Sequence, residues 1–150
     1  MELSSPEFKN KGEIPEKYAL PRQNVNPPLK IKEVPEETES LVLIMDDPDA
    51  KEPAGKVWDH WVVFNIPPSI REIPEDWDVE GTQGTTDYRR NEYGGPNPPD
   101  GSHTYVFKLY ALDTELDLDS SATKPDVEES MENHIIKKAE LKADFHPIED

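Results

Sequence analysis

Two histidines, two aspartates and a tyrosine stand where strand-forming runs of this chain begin or end. Leu41-Val42-Leu43-Ile44-Met45 runs into Asp46-Asp47-Pro48-Asp49-Ala50. His60 opens the run Trp61-Val62-Val63-Phe64-Asn65-Ile66. The Gly- and Pro-rich stretch from Gly94 to Ser102 delivers His103 to a third run, Thr104 to Leu112. If these runs are neighbours in one sheet, their polar ends meet. Carboxylate, imidazole and the Tyr105 hydroxyl then line a small pocket at the rim of an apolar core. An imidazole beside a carboxylate favours its cationic form. Backbone N–H groups of the Gly94–Ser102 stretch add donors, because glycine permits close approach. Imidazolium, hydroxyl and amide donors suit a phosphate or a carboxylate. Asp47 suits an ammonium, which makes a zwitterionic head group an alternative guest.

The positioning elements follow from side-chain alternation along a strand. Leu41, Leu43, Met45 and Asp47 share one face. His60, Val62, Phe64 and Ile66 share another, and His103, Tyr105, Phe107, Leu109 and Ala111 a third. Leu29 to Val34 alternates as a further, half-exposed strand. Met1 to Pro28 reads as ordered loop with one short strand. Ser69 to Asp78 is a connector anchored by Ile70, Ile73 and Trp77, and Glu80 to Gly95 is a long loop of the kind that carries function. One helix is expected. Thr123 caps it with Asp126, and Pro125 lies in its first turn. Val127, Met131, His134 and Ile135 form its apolar stripe, and Lys137 and Lys138 occupy its last turn. Ala139 to Phe145 reads as a short final strand. Strands first and a helix late predict one mainly β domain over residues 1–150 with a helix packed at one end.

Composition narrows the function. Lys plus Arg is 16 against 33 Asp plus Glu, a formal charge of −17, so the basic footprint of a nucleic-acid or anionic-membrane binder is missing. Without cysteine there is no disulfide, thiolate metal site or cysteine nucleophile. Met1 to Asn10 lacks the basic and apolar regions of a secretory leader, and no apolar run has the length of a membrane span. The expectation is a cytoplasmic protein without integral membrane association. Two His and two Asp are acceptable zinc ligands, but no HxH or HExxH spacing joins them, and no metal is expected. Ser102 beside His103 has no GxSxG elbow, and adjacent strand residues diverge, so no covalent catalysis is expected. Trp61 and His134 read as core residues and His146 as solvated. Trp58 and Tyr93 are each a pocket wall or an ordinary packing residue.

Three segments in order, Asp47-Pro48-Asp49-Ala50, Trp58-Asp59-His60-Trp61-Val62-Val63-Phe64-Asn65 and Gly94-Gly95-Pro96-Asn97-Pro98-Pro99 leading to His103-Thr104-Tyr105, resemble the phosphatidylethanolamine-binding protein family, which includes the Raf kinase inhibitor protein. Asn24-Val25-Asn26-Pro27-Pro28-Leu29 and the region around Met131, His134 and Ala139-Glu140-Leu141 extend the resemblance over nearly the whole chain and point to the short prokaryotic branch. The resemblance implies a β-sandwich with a large and a smaller sheet and a helix near the pocket. It implies a small anion pocket for phosphate, phosphorylated head groups or carboxylates. Carried over, Asp47, His60, Pro98, His103 and Tyr105 bind the ligand, with Asp49, Trp58 and Pro99 in support. No catalytic residue, metal or cofactor is implied. Members act mainly by binding, as inhibitors of kinases or proteases or as scaffolds. The expected function is therefore a non-enzymatic anion-binding regulator. One alternative is a protease or kinase inhibitor working through surface loops, the Glu80–Gly95 loop among them, and another is a metal-assisted hydrolase. Three positions depart from the family pattern. Lys51 replaces a proline, Asn97 a smaller residue, and Thr104 an arginine whose loss leaves Asp49 to find another partner, Lys51 or Lys56.

Overall fold

Ser40–Asp47 is buried along its whole length, the pattern of a strand with another layer on each side. The computed structural model describes residues 1–148. In chain order they form β1 (Glu2–Ser4), β2 (Gly12–Glu13), β3 (Leu29–Lys32), β4 (Ser40–Asp47), the short helix α1 (Lys51–Ala54), β5 (Trp58–Ile66), β6 (Glu72–Ile73), β7 (Thr82–Gln83), β8 (His103–Leu112), α2 (Lys124–Met131) and β9 (Ile135–Phe145). A six-stranded sheet has the order β2-β9-β8-β4-β5-β7, and a three-stranded sheet the order β1-β3-β6. All pairings are antiparallel except β2 with β9. The three runs expected to be neighbours are so, with β4 between β5 and β8.

One core lies between the sheets. Leu3, Leu29, Ile31 and Ile73 of the small sheet meet Leu41, Leu43, Met45, Trp61, Phe107 and Leu109 of the large one. A second core lies on the far face of the large sheet, where Val42, Ile44, Val62, Phe64 and Leu112 meet Val127 and Met131 of α2. The fold is thus the expected mainly β arrangement of a large and a small sheet, but α2 packs on the outer face of the large sheet rather than at one end beside the pocket.

The face expected for β5 needs correction. Val62 and Phe64 point to the α2 side, whereas Trp61, Val63 and Ile66 point to the inter-sheet core. Two register shifts cause this. Met45 pairs with Trp61 but Asp46 pairs with Asp59, so His60 is an extra residue. Leu41 pairs with Ile66 and Leu43 with Val63, and Asn65 takes a left-handed φ of 54° at the second irregularity. Each bulge re-aims its residue. His60 therefore lies with Tyr105 on the inter-sheet side, whereas simple alternation from Val62 would put it on the α2 side.

The helix is also shorter than expected. Its start is as read: Thr123 and Asp126 form a capping box, and a proline follows in the first turn. It ends at Met131, so Ile135, Lys137 and Lys138 belong to β9 instead. Asn133 has φ 68°, which stops the helix, and the β-branched pair Ile135-Ile136 continues into a ladder with β8. His134 is not a core residue. It is well exposed and pairs with Asp113 at 2.7 Å, while its backbone carbonyl accepts from the Asp113 N–H. The first 28 residues hold two short strands rather than one, and the Glu80–Gly95 loop contains β7.

Candidate functional site

Pro48 has no N–H to continue the ladder, so β4 stops after Asp47 and the chain turns. Asp47 Oδ1 accepts the Asp49 N–H at 2.9 Å and holds that turn. The other oxygen, Oδ2, meets His103 Nδ1 at 2.5 Å, across the ends of β4 and β8. His103 Nε2 meets Asp100 Oδ1 at 2.6 Å. Ionised carboxylates only accept, so a ring held by two of them carries both protons. Burial opposes that charge on His103, but the hydrogen bonds and charges of Asp47 and Asp100 outweigh it, and its pKa is raised. Burial also raises Asp47, with His103 offsetting part of the effect.

His60 is different in kind. It is 2% exposed, and its Nδ1–H donates to the Gly94 carbonyl at 2.7 Å. A carbonyl cannot donate, so Nδ1 is the protonated nitrogen and Nε2 is left with its lone pair. Burial lowers the His60 pKa to about 4, against hydrogen bonds to the Gly94 and Gly95 backbone that raise it. The imidazolium expected beside a carboxylate is therefore His103, while His60 is a neutral ring.

Gly94 and Gly95 are dictated by close approach. A Cβ on Gly94 would lie 2.3 Å from the Tyr88 ring, and one on Gly95 would lie 2.1 Å from the Tyr18 carbonyl oxygen. Gly94 N–H returns a bond to the His60 carbonyl at 3.0 Å, and Asn24 Oδ1 accepts the Gly95 N–H at 2.7 Å. Tyr93 donates to the Tyr18 carbonyl at 2.9 Å, which makes it an anchor of this segment and not a wall.

Together these residues enclose a hollow of about 200 Å³. Of the residues expected at the site, Asp47, Trp58, His60, Pro98, Pro99, His103 and Tyr105 line it. The Tyr105 ring stands edge-on to His60 at 5.1 Å and near-parallel to His103 at 6.3 Å. Asp49 stands outside the lining. Its Oδ2 accepts the Thr104 N–H at 2.7 Å, so the backbone of the substituted position supplies a partner. Neither lysine does so in the manner expected: Lys56 pairs with Asp87 at 2.7 Å, and Lys51 is exposed at the start of α1. Thr104 Oγ1 turns to Asp144 at 2.7 Å.

Sequence reading missed Tyr88, Asp100 and the apolar rim of Ala50, Pro53 and Ala54. Tyr88 packs edge-on against Trp58 and His60, each at 5.6 Å. Its signal was weak, one aromatic inside a long polar loop. Asp100 carried a signal, three residues before a histidine across a Gly-containing turn.

Behind the site, on the α2 side, Asp46 Oδ2 takes both Lys108 and Lys124 at 2.8 Å, and Lys124 reaches Asp59 at 3.6 Å. Burial pushes Asp59 up to about 6 despite Lys124. Among the described residues no three His, Asp or Glu side chains converge as a metal-ligand set. Ser102 Oγ lies 3.4 Å from His146 Nδ1 at the surface and takes no part in the hollow.

Sequence comparison joins these observations to known proteins. The sequence profile of the family described as phosphatidylethanolamine-binding protein matches residues 4–146. A UPF0098 protein of the archaeon Methanothermobacter thermautotrophicus is 46% identical over 147 residues, covering 94% of this chain and 95% of its own. A homologue from Chlamydia trachomatis, solved as a phosphatidylethanolamine-binding protein relative, is 36% identical with a TM-score of 0.93, covering 99% of this chain and 97% of its own. YbcL of Escherichia coli, described as a member of the mammalian family, is 30% identical with a TM-score of 0.89, covering 99% and 98%. With the family profile matching residues 4–146 and solved relatives of the same fold over 99% of the chain, this chain belongs to the phosphatidylethanolamine-binding protein family, among its prokaryotic members.

Proposed function

We propose that this chain is a binding protein that holds one small oxyanion, a phosphate or carboxylate group, in the hollow beside His60, His103 and Tyr105. The observation that carries this reading is the convergence of those three side chains with Asp47, from three different strands, at an opening walled by Trp58, Tyr88 and prolines. Burial, above all, keeps the Tyr105 hydroxyl protonated far past neutrality, so it remains a donor. His60 Nε2 accepts a proton. A phosphate monoanion brings one as its P–OH, and a fully ionised guest takes one up from solvent onto the ring. Either way one proton ends between guest and His60. The apolar rim strengthens each polar contact by excluding water. Phosphoryl groups on small molecules or on a partner protein share this chemistry, and a regulatory role follows from capture of either. No helix among the described residues is long and apolar enough to cross a membrane.

The test is titration with inorganic phosphate and phosphorylethanolamine, read by the ring NMR signals of His60 and His103. Both rings are expected to shift together, and His60→Ala is expected to abolish the response. Spectra unchanged at millimolar ligand would sink the reading.

A further inference from the structure

His103 has no free donor in the state described. Its inner N–H is on Asp47, which is buried, and its outer one is on Asp100, whose side chain is half exposed. Asp100 is joined to His103 by only Gly101 and Ser102. Gly101 has φ 153°, a Cβ there would meet nothing within 4 Å, and Asp100 and Ser102 on either side are exposed, so the tip of the turn has room to move. On its outer side lies a second, open cleft, bordered by Glu16, Pro99, Asp100, Gly101, His146 and Pro147, which gives the side chain somewhere to go.

We propose that Asp100 is a resident carboxylate that keeps the anion pocket latched: it occupies the outer N–H of His103, and a guest must displace it. The proposal rests on the anion-pocket reading above. Exchange of one oxyanion for another leaves the number of hydrogen bonds on His103 unchanged, so the cost is that of freeing the turn and not of an orphaned donor. A tethered competitor acts at an effective concentration of about millimolar or more. A monocarboxylate offers the same acceptor as Asp100 and gains little by replacing it. A tetrahedral phosphate brings further oxygens for Tyr105 and His60 and displaces it more readily. Both guests bear the same cost of opening the latch, and phosphate offsets it through its further contacts. Asp100 lowers absolute affinity by the fraction of time that the latch is open.

Titrations of the full chain with inorganic phosphate and with acetate decide the matter, compared for the native protein, Asp100→Ala, Asp100→Asn and Glu52→Gln. Glu52 is an exposed acid on α1 outside the lining and reports the loss of one nearby charge. For Asp100→Ala we expect phosphate to bind about tenfold tighter, as for a latch open one tenth of the time. Acetate should gain by about the same factor, and the His103 ring signal should move even without ligand. Asp100→Asn keeps an acceptor without the charge and should fall between; it carries the test if the alanine variant fails to fold. Glu52→Gln should change affinity less than twofold. Unchanged or weaker phosphate binding in Asp100→Ala, or an equal gain in Glu52→Gln, overturns the latch while leaving the pocket reading intact. Absence of phosphate binding in all four proteins overturns the pocket reading and the latch with it.

Discussion

His60 and His103 line one hollow yet carry opposite pKa shifts, because burial dominates at the first and two carboxylates at the second. Carboxylates on both nitrogens make His103 a cation, whereas burial keeps His60 neutral despite its bond to the Gly94 carbonyl. A bound anion stabilises protonated His60 and raises its pKa above the free value of about 4. Anion affinity should then rise as pH falls from neutrality toward that value. The slope should approach tenfold per pH unit, since one proton is taken up per guest. Sulfate is the suitable probe because its own charge is constant over that range. A flat profile would show that His60 stays neutral in the complex. The same residue affects stability. Its folded pKa lies below the ordinary 6.5, so the unfolded chain binds the extra proton and stability falls as pH drops from about 6.5 to about 4. The full window corresponds to roughly 3 kcal/mol. His60→Gln should flatten that part of the acid limb in urea melts, relative to the native protein.

At the scale of elements, the site depends on strands that stop and strands that bulge. β4 ends because Pro48 cannot donate, and β5 turns His60 inward only because of the extra residue opposite the Met45–Asp46 step. The Gly94-Gly95 segment then fixes the imidazole tautomer from outside the sheet. Gly95→Ala puts a methyl into the Tyr18 carbonyl, a backbone atom that cannot yield as a side chain does. About 1–3 kcal/mol of destabilisation is expected, together with a shift of the His60 ring signal as the Gly94 carbonyl moves. Native-like stability in a denaturant melt would contradict the packing described. On the far face, Lys124 ties the first turn of α2 to buried Asp46 and Asp59. Lys124→Met leaves Asp46 with Lys108 alone. A loss of about 3 kcal/mol or somewhat more is expected, because a buried carboxylate would be undercompensated. The anion titration should change little, since α2 does not line the hollow.

For the molecule as a whole, the two sheets share one core, and α2 closes a second core on the same large sheet. We therefore propose that the chain unfolds as one unit. Trp61 stands between the sheets and Trp58 at the hollow, so fluorescence reports both places. Fluorescence and far-ultraviolet circular dichroism should give coincident denaturation curves. Two separated transitions would mean that the small sheet and the large one are independent. Trp61→Ala, which empties a fully buried site, should cost about 3–5 kcal/mol. The charge of −17 acts over the same scale. It opposes any anionic guest at long range, but salt screens it beyond about 8 Å at physiological strength. Contacts inside the hollow then dominate binding.

Local patterning was enough to place β4, the core of β5 and β8, the capped start of α2 and the meeting of Asp47, His103 and Tyr105. Apolar runs and prolines act on neighbouring residues, so their effects are visible along the chain. The resemblance to a family added Pro98 and Pro99 to that set, and Asp49 as a support that stands outside the lining. What the chain did not reveal by itself depends on partners distant in sequence. The bulge at His60 exists only in register with β4, the neutrality of His60 comes from burial between assembled layers, and the charge of His103 depends in part on Asp47, 56 positions away. The end of α2 likewise gave way to pairing of Ile135 onward with β8, a long-range ladder that outweighs helical spacing. Hydrogen-bond register and burial are properties of assembled layers, and so the protonation and aim of the two histidines were decided by the tertiary structure.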